Sequence, residues 1–181
     1  MIKLYGEKTY LSTLEREHCK KIWEDTEYDF DQLTEPFIVG RSSSNADGWF
    51  DEIQKLQGTT HIRLGIFLPD GTVIGDIALQ DLDWQNRACT IGYGLTKLEY
   101  RSRGYTTDAV KAILKYGFAH LGLERISANT QENNIGSQRV LEKCGFILEG
   151  REREAKYFAG KRHDNLIYGL LAAEYFEQSK G

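Results

Sequence analysis

A basic loop followed by a strongly amphipathic segment is the first feature of the sequence that could do chemistry. Arg101, Arg103 and Gly104 precede an apolar pattern typical of a helix, which begins at about Thr106 or Thr107. The first N–H groups of a helix lack partners within it, and the helix dipole gives them partial positive charge. Glycine lets the main chain approach a phosphate closely, and arginines add full charges. The loop is a candidate anion site; the alternative is an ordinary helix N-terminus with solvated arginines.

Two better-known phosphate-binding patterns do not fit this part of the chain. Gly92 and Gly94 lie just ahead of the loop, but the third glycine of a dinucleotide fingerprint is missing and no helix starts there. The chain also lacks the GxxxxGK[ST] pattern of an NTPase. Neither pattern therefore accounts for the loop, and the anion site and the ordinary helix N-terminus both stay open at this point.

Hydrophobic periodicity predicts the elements that must position this loop. We expect one or two strands within 2–12 and further strands over 61–67, 72–82, 88–95, 125–130, 146–157 and 164–171. Helices are expected over 14–25, 47–57, from about 106 to 122, and over 134–145. Antiparallel strands followed by a strand–helix–strand crossover predict a mixed α/β (α+β) fold.

Length, charge and cysteine use narrow the class of protein. A chain of 181 residues predicts one domain over 1–181. The net charge of -4 and the pI of about 5.6 argue against nucleic acid as the main partner. Three widely spaced cysteines predict reduced, buried thiols, and no metal is expected. The start of the chain lacks the apolar core of a signal peptide, and no apolar run approaches the ~20 residues of a membrane span. A cytoplasmic protein without a membrane partner is expected.

Four blocks of the sequence resemble the GNAT acetyltransferases. Arg101-x-x-Gly104-x-Thr106 resembles the pyrophosphate loop of that family, with threonine as a departure in the last position. Residues 134–146 resemble the family's N-x-x-S helix ending in Gly-Phe, and 83–93 and 153–164 are similar to two further family segments. Together they resemble the RimJ/RimL-like branch. The implied fold is a central mixed, mostly antiparallel sheet with helices on both faces.

The resemblance implies acetyl-CoA as co-substrate, without a metal, and direct attack of a primary amine on the thioester. The pantetheine arm would lie along the strand end ahead of the loop, where a bulge at Gly92 or Gly94 would part the strand from its neighbour. The same strand end would offer an N–H to the thioester oxygen. The implied cofactor-binding residues are Tyr93, Gly94, Leu95, Arg101, Arg103, Gly104, Tyr105, Thr106 and Asn134.

The implied catalytic residues are Ser137 and Asn134, which match family positions beside the pantetheine and its sulfur. Ser137 is the candidate donor to the leaving thiolate. The alternative is that Asn134 only caps the helix and Ser137 only satisfies its first turn.

The sequence offers several candidates for the general base, because Thr90 occupies a position where many relatives carry glutamate. A carboxylate on or beside the preceding strand could act through water, with solvated strand ends as the alternative; the candidates are Asp76, Asp81 and Asp83. Tyr157 and His163, on the late hairpin, are expected to be structural.

An acidic segment suggests the charge of the acceptor. Residues 24–35 carry six carboxylates and no lysine or arginine; they are Glu24, Asp25, Glu27, Asp29, Asp31 and Glu35. Relatives place this region over the acceptor site, where negative charge would gather cationic amines. We expect a basic protein N-terminus, as in ribosomal-protein acetylation, or a polyamine-like or aminoglycoside-like molecule. A solvated acidic loop and a non-catalytic CoA-binding sensor are the alternatives, and a monomer or a homodimer fits equally.

Overall fold

The computed structural model describes residues 2–34 and 42–178, so Glu35 of the acidic segment lies outside the described residues. The strands are β1 (Lys3–Tyr5), β2 (Tyr10–Ser12), β3 (Ile62–Phe67), β4 (Val73–Asp83), β5 (Ala88–Leu95), β6 (Arg125–Gln131), β7 (Ile147–Phe158) and β8 (Lys161–Leu171). The helices are α1 (Arg16–Asp25), α2 (Asn45–Leu56), α3 (Tyr105–Lys115), α4 (Ile135–Lys143) and α5 (Ala172–Gln178).

The strands form an eight-stranded sheet in the order β1-β2-β3-β4-β5-β6-β8-β7. Neighbours are antiparallel except β5 and β6, which are parallel because α3 crosses over between them. The predicted mixed, mostly antiparallel sheet is confirmed.

Helices cover both faces of this sheet. Ile66 and Phe67 are consecutive in β3, so their side chains point to opposite faces. Ile66 belongs to the main core, which includes buried residues of α3 and α4, whereas Phe67 belongs to a second core with α1 and α2. The predicted placement of helices on both faces is therefore correct.

Helix α3 is fixed to the sheet by its apolar stripe. Ala109, Val110, Ile113 and Leu114 are almost completely buried in the main core. Their i, i+1, i+4, i+5 spacing puts them on one side of the helix. Full burial of each large side chain contributes roughly 1.5–3 kcal/mol, so the N-terminus of α3 is held rigidly against the sheet.

Several boundaries differ from the sequence prediction, and two of the differences have a clear cause in the backbone conformation. Helix α3 starts at Tyr105, because Gly104 takes a left-handed conformation with φ 82° in the N-cap position; Thr106 is thus inside the helix and does not cap it. Strand β8 starts at Lys161, because Ala159 and Gly160 both have positive φ and form a two-residue turn. Helix α5 was not predicted.

The cysteines follow the prediction. Cys19, Cys89 and Cys144 are free thiols and all three are buried.

Candidate active site

A wedge-shaped gap opens in the sheet between β5 and β6. The two strands pair from Ala88 and Arg125 up to Ile91 and Ala128. Beyond that point β5 continues along β4, while β6 continues along β8. Residues 92–95 therefore have no ladder partner on the β6 side among the residues that the structure describes. This is the parted strand end that the sequence predicted.

The expected bulge at Gly92 or Gly94 is wrong. The pairing of β4 with β5 is regular through both glycines, and the irregularity lies in β4 between Gln80 and Asp83. Asp81, which lies within this irregularity, has a left-handed backbone conformation with φ 54°. The gap opens simply because the parallel pairing stops after Ile91.

The predicted anion loop lies at the wide end of this gap. Arg101, Ser102 and Arg103 are exposed and lead into Gly104. Within the part of the chain that the structure describes, no side chain caps the N-terminus of α3, so its first N–H groups are open to a ligand. Tyr105 and Thr106 are the first two residues of α3 and are half-buried.

The N-terminal hairpin supports this loop from the other side, which the sequence did not indicate. The Nζ of Lys8 donates to the carbonyl of Arg103 at 3.0 Å. The carboxylate of Asp108 accepts from the main-chain N–H groups of Glu7, Lys8 and Thr9 at 2.8, 3.0 and 2.8 Å, and from the hydroxyl of Thr9 at 2.7 Å. Burial would raise the pKa of Asp108, but these hydrogen bonds outweigh it and hold the pKa below its usual value.

A groove lined by lysines lies beside the same loop. Its volume is about 590 Å³. Lys8, Lys111, Lys115 and Lys143 line it together with Gly104, and its only described acidic lining residues are Glu7 and Asp108. Most of its charge is therefore positive, next to the predicted pyrophosphate loop.

Asn134, Ser137 and Tyr93 come together at the narrow end of the gap. The Oδ1 of Asn134 accepts from the main-chain N–H of Ser137 at 3.0 Å, so Asn134 is the N-cap of α4. The hydroxyls of Tyr93 and Ser137 lie 3.0 Å apart. Burial raises the pKa of Tyr93 to about 12, against the opposite effect of its bond to Ser137. The capping role of Asn134 does not exclude contact with a ligand, because capping uses its Oδ1 and the side-chain amide also has two N–H donors.

A smaller cavity of about 170 Å³ lies on the other face of the strand end. The segment 26–34 forms one wall, and Gly75, Asp76, Gly94 and Leu95 form the other. Glu27 holds this segment in place: its N–H donates to the carbonyl of Thr96 at 2.8 Å, and its Oε2 accepts from the N–H of Leu98 at 2.9 Å. The described part of the acidic segment thus lies against the strand end.

Only part of the acidic segment lines that cavity. Glu27 and Asp29 do so. Asp25 instead pairs with Lys21 at 2.9 Å, and Glu24 is exposed. The cavity also contains donors, namely Gln32 and Arg101.

Asp76 is the only one of the three candidate bases that lines the cavity. Its side chain is 17% exposed and forms an ion pair with Arg63. Burial raises the pKa of Asp76, although the Arg63 guanidinium acts in the opposite direction. Asp83 lies at the far end of β4, where its carboxylate accepts from the N–H of Asn86 at 2.9 Å, and Asp81 is exposed at the bulge.

The remaining candidates lie away from the cavity. Thr90 is the register partner of Gln80 and is not among the lining residues. Tyr157 is 64% exposed, and His163 is buried with its ring stacked on Phe158 at 4.0 Å between centroids. A structural role is consistent with these positions.

The described residues contain neither a metal-binding cluster nor a membrane-spanning helix. Across 2–34 and 42–178, no group of three or more His, Cys, Asp or Glu side chains is arranged to hold a metal ion. No helix within these ranges has both the length and the apolar character required to span a bilayer.

Comparison with known proteins identifies the family. The profile of the acetyltransferase (GNAT) domain matches residues 10–147. A curated relative, "Putative ribosomal N-acetyltransferase YdaF" of Bacillus subtilis (strain 168), is 37% identical over 127 residues, which is 70% of this chain and 67% of that protein. The chain therefore belongs to the GNAT acetyltransferases and is an acetyl-CoA-dependent N-acetyltransferase, as predicted.

Solved structures agree with this assignment. The crystal structure of a "Probable acetyltransferase" has a TM-score of 0.85 and 27% identity, covering 96% of this chain and 99% of that one. A spermidine N-acetyltransferase from Vibrio cholerae in complex with CoA and spermine has a TM-score of 0.80 and 19% identity, covering 94% and 99%. At that identity the second similarity concerns the fold alone.

Proposed function

We propose that this enzyme acetylates the α-amine of a protein N-terminus that carries positive charge. The observation behind the proposal is the cavity beside the parted strand end, which is lined by the carboxylates of Glu27, Asp29 and Asp76. Negative charge concentrated in a cleft favours the binding of an ammonium group. Gln32 adds a donor to the same lining, and a peptide N-terminus offers a carbonyl acceptor next to its ammonium.

In this proposal acetyl-CoA lies along the gap between β5 and β6. The pyrophosphate is held by the loop and the open N-terminus of α3, through Arg101, Arg103, Gly104, Tyr105 and Thr106. The nucleotide end extends into the groove lined by lysines, where its phosphate meets positive charge. The pantetheine arm takes the unpaired edge of Tyr93, Gly94 and Leu95, so the thioester arrives between the acceptor cavity and Asn134 and Ser137.

The reaction then needs three groups around the thioester carbon. An α-ammonium has a pKa of about 8 and an alkyl ammonium one of about 10, so a base must remove a proton from either before attack. Asp76 is that base, directly or through one water, because it is the carboxylate on the strand wall of the cavity. A main-chain N–H of the β5 strand end stabilises the oxyanion. The C–N bond forms and the C–S bond breaks, so the sulfur leaves with the electron pair. The hydroxyl of Ser137 stabilises that sulfur, and the second proton of the attacking nitrogen passes to the thiolate.

A small cationic amine is the second candidate acceptor. The carboxylates of the cavity would also attract a polyamine, and one structural neighbour was solved with spermine. A polyamine has no acceptor group for the side-chain amide of Gln32, however. Comparison of the two acceptor types separates these candidates.

Cofactor binding is tested first, by thermal unfolding with acetyl-CoA and with ATP as the comparator. Ligand at ~100 times Kd adds roughly 2.7 kcal/mol of stability, and for a chain of this size the unfolding temperature then rises by about 5–10 °C. A rise with acetyl-CoA and none with ATP is expected. No rise with acetyl-CoA would contradict the proposed cofactor site.

The acceptor is tested by release of free CoA with a lysine-rich peptide, the same peptide blocked at its N-terminus, and spermidine. We expect turnover with the free peptide and none with the blocked one. A higher kcat/KM for spermidine would favour the second candidate. Binding of acetyl-CoA without turnover of any amine would support the non-catalytic CoA sensor.

A further inference from the structure

The hydroxyls of Tyr93 and Ser137 form a pair at the narrow end of the gap, 3.0 Å apart. We propose that Tyr93 is a positioning residue: its phenol donates to the Oγ of Ser137 and leaves the Ser137 hydrogen directed at the sulfur of CoA. The inference rests on the proposed role of Ser137, and it assigns Tyr93 a side-chain function in addition to its main-chain contact with pantetheine.

Each hydroxyl of the pair has one hydrogen. The phenol oxygen lies 3.0 Å from the Oγ of Ser137 and 3.5 Å from the main-chain carbonyl of the same residue. The carbonyl contact is at the limit of a hydrogen bond, so the phenol hydrogen belongs to the shorter contact or is not used there at all. If Ser137 donated to Tyr93, the serine hydrogen would be consumed and could not stabilise a thiolate. If Tyr93 donates, the serine hydrogen stays available. The main-chain N–H of Ser137 is already bonded to Asn134 at 3.0 Å, so the hydroxyl is the remaining donor of this residue.

The surroundings of Tyr93 keep its phenol protonated, so that it can donate a hydrogen bond. Burial raises its pKa to about 12, and the neighbouring Cys144 and Tyr168 act in the same direction. Burial also raises the pKa of Cys144 to about 11. The neutral phenol therefore persists throughout the pH range of an enzyme assay.

The position of the pair explains why it acts on the leaving group. Tyr93 lies two residues beyond Ile91, the last residue of β5 that pairs with β6. Ser137 lies in the first turn of α4, whose N-terminus carries partial positive charge. When the C–S bond breaks, the sulfur takes the electron pair. It then meets a hydrogen-bond donor that is already oriented, which lowers the cost of charge development.

A double-mutant cycle tests the coupling. We expect Tyr93→Phe and Ser137→Ala each to lower kcat by about tenfold, as expected for the loss of one hydrogen bond that matters in the transition state. The KM for acetyl-CoA should change less than twofold. The double variant should be no slower than Ser137→Ala, because Tyr93 acts only through Ser137. The proposal would be overturned if the two losses of kcat multiplied in the double variant, or if the single variants raised only KM.

A second measurement needs no acceptor and so separates this inference from the proposed acceptor. The pH dependence of alkylation by iodoacetamide reports the thiol pKa of CoA bound to the protein, with alkylated CoA quantified by mass spectrometry. We expect Tyr93→Phe and Ser137→Ala to raise that pKa equally, and the double variant to raise it no further. An unchanged thiol pKa in Tyr93→Phe, with one-to-one CoA binding retained, would show that the phenol has no influence on the sulfur.

Discussion

Asp76 on β4 is the register partner of Gly94 on β5, and both line the cavity under the acidic segment. A Cβ at Gly94 would meet nothing within 4 Å, so the space between the Asp76 carboxylate and the parted strand end is open. The carboxylate therefore lies one strand away from the β5 edge proposed to bind pantetheine.

Replacing Asp76 by asparagine should reduce kcat about a hundredfold, within the range for loss of a general base. Asp83→Asn, on the same strand but at a remote turn, is the matched control and should leave kcat unchanged. Steady-state release of CoA measures both. Equal activity of the two variants would remove Asp76 from the mechanism.

The pH dependence of kcat/KM should report the ionisation of Asp76. A base acts only when deprotonated, and burial raises the pKa of Asp76. The acid limb of kcat/KM is therefore expected above the pKa of about 3.9 of an ordinary aspartate. Arg63→Met removes the guanidinium that opposes this shift, so the limb should move to still higher pH. A limb that moves to lower pH, or stays in place, would contradict the assignment.

Gly104→Ala tests the main-chain conformation of the anion loop. Gly104 has φ 82°, a conformation that costs a residue with a Cβ about 1 kcal/mol or more. The unfolding temperature should fall by roughly 2–4 °C. The Kd for acetyl-CoA should rise as well, because the loop relaxes away from its phosphate-binding shape.

Gly160→Ala is the matched control for that variant. Gly160 has φ 74° in the turn between β7 and β8, so it should lose similar stability without any change in the Kd for acetyl-CoA. Calorimetric titration separates the two effects. Equal Kd values for both variants would mean that the loop conformation does not matter for binding.

Asp108→Asn tests the anchoring of the N-terminal hairpin. The pKa of Asp108 is lower in the folded protein than usual. Its stabilising effect is therefore present above the unfolded pKa of about 3.9 and is lost as the pH falls through the folded value. Denaturant unfolding at pH 7 should show a loss of about 2 kcal/mol, the order expected for hydrogen bonds to a charged group. The difference from the parent protein should shrink below pH 4; a constant difference would point to packing alone.

Local sequence patterns correctly predicted strand β5 and the position of the loop before α3. The bounds predicted for β5, 88–95, agree with the structure, because alternating apolar residues and a turn delimit that strand clearly. The position of the anion loop followed from an amphipathic helix preceded by glycine and arginines. Both signals lie within a few neighbouring residues.

The contacts that complete the site could not be predicted in that way. Asp108 binds Thr9, Glu27 binds Leu98, and Tyr93 meets Ser137. In each pair the partners are distant in sequence and meet only through the order of strands in the sheet. No composition or spacing rule distinguishes Asp76 from Asp81 and Asp83 either, since the pairing of β4 with β5 decides which of them lies beside Gly94 in the cavity.

The open N-terminus of α3 has a consequence for the lifetime of the enzyme. Asn134 closes the start of α4, but no side chain closes the start of α3. In the proposed complex the pyrophosphate fills that place, so the ligand serves as the missing cap. Protection of residues 101–104 against proteolytic cleavage would then follow the concentration of acetyl-CoA. A cell depleted of acetyl-CoA would lose this enzyme faster than a well-fed one.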